Sequence, residues 1–453
     1  MNWLFPALLA VALYTVAAGF IYVRKAAHER EKADRIAFPG RSPGEHKKSL
    51  WDAIVFYGPI LALKTERVGF FDRFVRHATF FRVYASLGVA MVAVISVGIA
   101  FILLLSVRFT FLLRPEPTGI YAPQNIFLIP GINEYVPSTF AVWLAFVLAI
   151  AIHEWGHGIL CRVENITVRS MGALIAVVPI GFFVEPDEAE LEKSRGMPKI
   201  RMFGAGITNN ILVGGACFVA LVLLFGLVVP VGNPVIGGVY KNYSAWEAGV
   251  TGPSTILAIN AIPVADRDDV ASILNGTRPG DNVTLTLQTG EEIKDFHLTL
   301  SAWPEELGGH PSGFMGIQYY DGALVIEQVR QSLSFPGLIR FLTIPFDSTA
   351  AGQALRVLAF ETPETGFYHA PFPGFWTIVH VLFWCAWINI NVGIFNAIPM
   401  VPLDGGYILK EVVERLFERR GLSKYTIFVV SLISSVMMVM LISLVALPYL
   451  FHL

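Results

Sequence analysis

The sequence predicts an α-helical polytopic membrane protein with about six transmembrane helices and a small α+β extramembrane insert. Three observations carry this. Hydrophobic residues make up 54% of the 453-residue chain and charged residues only 15%, where soluble domains average about 25% charged. A chain this apolar cannot cover its surface with polar groups, so lipid is the solvent for much of it. Six apolar runs approach or exceed the ~20 residues that a spanning helix needs. Between the fourth and fifth runs the composition turns polar and strand-like. The same numbers exclude disorder. A formal net charge of −2 provides no field to attract nucleic acid, so the expected surroundings are a bilayer and other proteins. Cys161, Cys217 and Cys385 form no C-x-x-C pair, which excludes a disulfide framework and a cysteine zinc knuckle.

The runs are, in order, Trp3–Val23, Val83–Val107, Thr139–Cys161, Met202–Val229, Trp376–Met400 and Tyr425–Leu447. The first lacks a basic leader and a small-residue cleavage site, and reads as a retained anchor rather than a signal peptide. Lys and Arg set the orientation. Residues 24–82, 162–201 and 409–424 hold 13, 6 and 5 of the 33. These basic segments alternate with poor ones, which predicts a multi-pass protein of the cell membrane with both termini and residues 230–375 extracytosolic. Residues 50–82 mix Phe70-Phe71 and Phe80-Phe81 with Arg73, Arg76 and Arg82, the pattern of interfacial helices on the cytosolic leaflet; a re-entrant piece is the other reading. Residues 1–138 thus read as an N-terminal membrane region of two spans and a basic interfacial segment.

The polar insert occupies residues 230–300. Asp266–Leu274 reads as a short helix and Arg278-Pro279-Gly280-Asp281 as a turn. Thr284-Leu285-Thr286-Leu287-Gln288 alternates with period two, and Thr289-Gly290-Glu291 turns the chain back. Residues 301–375, rich in Pro, Gly and aromatics, form an extracytosolic connector to which the sequence assigns no role.

The chemistry concentrates in His153-Glu154-Trp155-Gly156-His157. Residues four apart on a helix share a face, so two imidazoles can hold one metal ion with a carboxylate beside it. Ionisable groups inside a membrane helix are costly and mark functional sites. A catalytic zinc takes three protein ligands. The candidate for the third is Asp404, in Asn396-Ala397-Ile398-Pro399-Met400-Val401-Pro402-Leu403-Asp404-Gly405-Gly406, where two prolines break the helix and two glycines permit a tight turn. A plain helix cap is the other reading of Asp404. Asn389, Asn391 and Asn396 also admit a packing role through interhelical hydrogen bonds.

H-E-x-x-H in one span, with N-x-x-P-x-x-P-L-D-G-G closing a later one, resembles the site-2 protease family of intramembrane zinc metalloproteases. The segment Gly204-Ala205-Gly206-Ile207-Thr208-Asn209-Asn210 is similar to the family's Gly-x-x-x-Asn signature. Ser244–Val250, Ile256–Asn260 and Pro279–Leu285 resemble a PDZ domain of the protease type, with Pro253-Ser254-Thr255 where Gly-Asp is usual. The resemblance implies a three-helix catalytic core built from residues 139–229 and 376–410, and a re-entrant β-loop at Gly172–Gly181. It leaves an amphipathic segment and last span in residues 411–453. It implies Zn2+ held by His153, His157 and Asp404, Glu154 as catalytic base, and Asn396, Asn391 and Asn209 as substrate contacts. The implied partners are membrane-spanning protein substrates, with a peptide or protein at the PDZ-like insert. The competing reading is a catalytically inactive membrane adaptor recruiting partners through that insert. Glu154, retained here, argues against it.

Overall fold

A computed structural model describes residues 4–37, 50–126, 128–347, 349–361 and 367–453. The chain opens with α1 (Leu4–Ala37), a hairpin of β1 (Ile54–Tyr57) and β2 (Ile60–Thr65), the single turn α2 (Asp72–Val75) and the long α3 (Ala78–Leu113). Next come α4 (Phe140–Val163), β3 (Val168–Ala176), β4 (Val178–Pro186), α5 (Glu188–Lys193) and α6 (Met197–Phe225). The middle of the chain holds β5 (Val229–Pro230), β6 (Val235–Val239), α7 (Ser244–Glu247), β7 (Ser254–Ile259), β8 (Ile262–Pro263), α8 (Arg267–Asn275), β9 (Asn282–Thr289), β10 (Glu292–Thr299) and β11 (Ile317–Tyr320). It continues through α9 (Gly322–Arg330), α10 (Phe335–Thr343), α11 (Ala350–Arg356) and β12 (Tyr368–His369) to α12 (Phe375–Asn396), α13 (Asp404–Glu418) and α14 (Thr426–Leu450).

Among the described residues five helices are long and apolar enough to cross a membrane: α3, α4, α6, α12 and the helix closing the chain. They coincide with five of the six expected runs. The remaining run, Trp3–Val23, falls on α1, which is not among the five, and Trp3 itself lies outside the described residues, as do Arg41, Lys47 and Lys48 of the basic segment. The chain is a mostly helical, multi-pass membrane protein that divides into two compact units.

One unit comprises residues 1–117, 146–212 and 392–453. Its sheet has the order β1-β2-β3-β4, all antiparallel, with Leu61 opposite Ile175 and Thr65 opposite Met171. The expected loop at Gly172–Gly181 is therefore the tip of a β-hairpin, which turns at Val177 with φ +66°. Residues 54–65, expected to be interfacial helix, instead extend that hairpin into a four-stranded sheet. The physical reason lies in the partner: the backbone edge of β3 pairs with Leu61–Thr65, and burial of Leu61 and Ala62 accompanies it. Gly172 permits the pairing, since a Cβ there would stand 2.2 Å from the Leu63 carbonyl oxygen. Among the described residues β4 pairs only with β3, so its far edge is open. Lys64 and the Ser170 hydroxyl bond the Glu185 carboxylate across these strands and hold its pKa below the usual range.

In this unit α6 and α3 meet at Gly88, where a Cβ would clash with Thr208. The loop after α12 packs Ile398 and Met400 against Leu103 of α3 and Met437 and Met440 of α14. Helix α13 is pinned further along by Glu411, a buried carboxylate that accepts from the Gly196 backbone N–H and lies 3.7 Å from the Lys199 ammonium. Arg195 pairs with Glu418 at 2.8 Å on the same helix.

The other unit comprises residues 118–145 and 213–391. Its sheet runs β10-β9-β7-β6-β11, with β8 paired to β7. The period-two reading of β9 holds, with Val283, Leu285 and Leu287 buried in a core shared with Ile256, Ile259 and Val270. Gly290, at φ +64°, turns β9 into β10. Asp266 caps α8 by accepting from the Asp269 N–H at 2.9 Å. The sheet runs past residue 300: β11 adds Ile317–Tyr320 alongside β6. Beyond β11 the connector carries the helices α9, α10 and α11.

Candidate metal and catalytic site

Helix α4 brings His153 and His157 onto one face one turn apart, their ring centroids 4.8 Å apart and nearly perpendicular. Asp404 is the first residue of α13. Its Oδ2 lies 3.0 Å from His153 Nε2 and 3.2 Å from His157 Nε2, and the two Nε2 atoms are 3.2 Å apart. The structure thus brings together three donors separated by some 250 positions in the chain. Asp404 does not cap its helix, because Leu403 stands at that position without a side-chain bond.

Two sets of glycines make this approach possible. At Gly405 and Gly406 an added Cβ would stand 2.5 Å from the Ala397 carbonyl oxygen and 2.3 Å from Met400 C. Neither glycine has a positive φ, so close chain approach, not left-handed backbone, is what requires them. On the opposite side a Cβ at Gly206 would lie 2.6 Å from His153 Cε1 and 2.7 Å from His157 Nε2. Only a residue without a side chain lets α6 lie against both rings.

The donor set fits a zinc ion. Atoms bound ~2.0–2.1 Å from a tetrahedral zinc stand roughly 3.3–3.4 Å apart, and the observed edges are 3.0, 3.2 and 3.2 Å. Two imidazoles and one carboxylate are a known ligand set of catalytic zinc. His157 Nδ1 sits 2.9 Å from the Met202 carbonyl oxygen. A carbonyl only accepts, so Nδ1 carries the proton and Nε2 presents its lone pair toward Asp404 and His153.

His153 has an analogous neighbour in Asn210. The Asn210 amide nitrogen is 3.5 Å from His153 Nδ1, while its Oδ1 is buried without a hydrogen-bond partner. Amide nitrogen and oxygen are assigned from networks rather than seen. Exchanging them pairs the orphaned oxygen with an Nδ1–H and frees Nε2 for a metal. Asn209, which the resemblance offers as a substrate contact, is engaged elsewhere. Its Nδ2 donates to the Ile152 carbonyl at 3.1 Å and its Oδ1 accepts from the Tyr84 hydroxyl at 2.7 Å. The usable signal was the spacing, since Asn210 lies four residues after Gly206.

Glu154 lies on the same turn of α4, and its Oε2 accepts the Val184 backbone N–H of β4 at 3.0 Å. This N–H belongs to the open edge of the sheet, so carboxylate and strand edge adjoin. Asn389, Asn391 and Asn396 each donate an amide N–H to the carbonyl four residues earlier, Cys385, Trp387 and Val392, at 2.8, 2.8 and 3.0 Å.

The sequence model of peptidase family M50 matches residues 141–443. Among similar proteins, one of Campylobacter jejuni named as a zinc metalloprotease is 25% identical over 346 residues, 65% of this chain and 88% of that protein. One of Clostridium perfringens, also named as a zinc metalloprotease, is 24% identical over 322 residues, 62% of this chain and 89% of that protein. Zinc metalloprotease RasP of Geobacillus kaustophilus is 25% identical over 221 residues, 46% of this chain and 49% of that protein. The matched region runs from the first turn of α4 into α14 and encloses His153, Glu154, His157, Asn210 and Asp404: the chain belongs to peptidase family M50.

Proposed function

We propose that this protein is a zinc-dependent endopeptidase of the site-2 type, cleaving transmembrane segments of other membrane proteins. The observation that carries the reading is the meeting of His153 Nε2, His157 Nε2 and Asp404 Oδ2 within 3.2 Å of one another, one residue from Glu154 on a helix of spanning length. In this reading those three residues hold Zn2+. The metal, when bound, lowers the pKa of a coordinated water to about 7 and polarises a carbonyl. Glu154 accepts the proton of the attacking water at its carboxylate and returns it to the leaving amine nitrogen. Asn210 and the Met202 carbonyl keep the rings in the ligating tautomer. Asn391 and Asn396 are the proposed substrate contacts; each must exchange its present helix carbonyl for the peptide. Asn209, with both ends of its amide engaged, serves to join α3, α4 and α6.

A substrate helix hides its peptide bonds in its own hydrogen bonds and must unwind before attack. The open edge of β4 offers the replacement partners, as an added strand passing beside Glu154. The six-stranded sheet of the other unit is proposed as a PDZ-like module that binds or excludes bulky substrate domains, so that trimmed substrates alone enter. The charge pattern supports placing it and both termini outside the cytosol.

The test is co-expression with tagged single-span membrane proteins, comparing the parent with Glu154→Gln. A product band lost only in the variant, with zinc content unchanged, is expected. A product that persists in the variant overturns the reading.

A further inference from the structure

We propose that α10 lies immersed in one leaflet of the bilayer, with Leu333, Phe335 and Ile339 in contact with lipid acyl chains. The inference concerns a part of the connector that the sequence placed wholly outside the membrane, and it does not depend on the protease reading. It starts from what the inner face of α10 touches. Phe341 is buried, its ring 4.8 Å from Phe218 of α6 and 5.2 Å from Phe383 of α12. The Trp387 indole donates to the Leu342 carbonyl at 2.9 Å.

These partners lie well inside spanning helices. At about 1.5 Å per residue, Phe218 stands roughly 10 Å from the end of α6 at Phe225, and Trp387 roughly 18 Å from the start of α12 at Phe375. A hydrocarbon core is about 30 Å thick. An element that packs on both helices at these levels shares their solvent. The chain also returns from the same level: Phe360, past α11, packs 4.8 Å from Phe383 and 5.0 Å from Trp384.

The outer face is apolar and uncovered. Phe335 is 76% exposed, Leu333 50% and Ile339 46%. The polar groups meet the demand that lipid makes on a short helix, that its end groups find partners within the protein. Ser334 accepts from the Gly337 N–H at 3.2 Å, Thr343 donates to the Arg340 carbonyl at 2.9 Å, and Trp387 serves Leu342. Arg340 is half-buried on this helix, and its long stem can carry the guanidinium to the headgroup layer.

The experiment places one nitroxide at a time, through Leu333→Cys, Phe335→Cys or Ile339→Cys, in the full chain in phosphatidylcholine/phosphatidylglycerol liposomes. The unsubstituted chain supplies the background of the three native cysteines. Collision with oxygen, which concentrates in lipid, is compared with collision with a water-soluble nickel chelate. Leu104→Cys on α3 is the lipid reference and Ile293→Cys on β10 the water reference, both exposed positions. Nickel collision at least tenfold below Ile293, with oxygen collision like that of Leu104, is expected. Nickel collision equal to Ile293 overturns the proposal in favour of water. Low collision with both reagents overturns it in favour of a protein partner. If one variant does not fold, the other two report on the same face.

Discussion

His153 and His157 differ in what holds them, and that difference is testable at single residues. His157 is oriented by a backbone carbonyl, which no side-chain substitution removes. The neighbour of His153 Nδ1 is instead a side chain, the Asn210 amide at 3.5 Å. Asn210→Leu should therefore weaken zinc binding about ten- to a hundredfold, measured by competition with a chromophoric chelator. Asn209→Leu should lower thermal stability instead, because it breaks bonds to Ile152 and Tyr84. Equal zinc affinity in both variants would show that Asn210 does not set the tautomer. The H-E-x-x-H spacing exposed the two imidazoles because four residues on a helix is a local relation. Asn209 and Asn210 could not be ranked so readily: which of two adjacent amides faces a ring is decided by the rotation of α6 against α4, set at Gly156 and Gly206.

At the scale of elements, two supports deliver groups to the site. Helix α13 carries Asp404 at its start and is anchored two turns later by buried Glu411. Glu411→Ala leaves the Gly196 N–H and the Lys199 ammonium without their carboxylate. Its expected cost is about 3 kcal/mol of stability, read as a lowered midpoint of thermal unfolding, together with reduced zinc occupancy. Glu411→Gln, which keeps an acceptor for Gly196, should lose less of both. The second support is β4. Phe182 shares the outward phase of Val184 along the strand, so Phe182→Pro removes an edge N–H while sparing the ladder with β3. Cleavage should fall at least tenfold with zinc content intact. Undiminished cleavage would remove strand addition from the mechanism. The β-loop at Gly172–Gly181, the tip of the hairpin β3–β4, was legible only through the family resemblance of that Gly-bounded apolar segment. The strands joining it from residues 54–65 were not, because sheet pairing runs through backbone atoms that every residue shares.

At the scale of the whole molecule, the proposed gating of substrates by the insert is open to test. Its sheet includes β11, so excision at residue 300 would leave a strand without its partner β6. Replacing residues 233–320 by a short flexible linker should release cleavage of substrates that still carry bulky domains. Their continued exclusion would count against a gate. By itself the sequence determined what is local or compositional: five of its six apolar runs as helices long enough to span, the helix-borne His153 and His157, the alternation of β9 and the short helix beginning near Asp266. Periodicity and spacing record these because neighbours in the chain are neighbours in space. The tertiary structure decided the rest: Asp404 closing on both imidazoles, Val184 meeting Glu154, Asn210 beside His153, and α10 packing on two spans. The closing of Asp404 and the seating of α6 against the rings depend on how closely Gly206, Gly405 and Gly406 let chain segments approach, and all four are long-range fits that leave no period in the residues on either side.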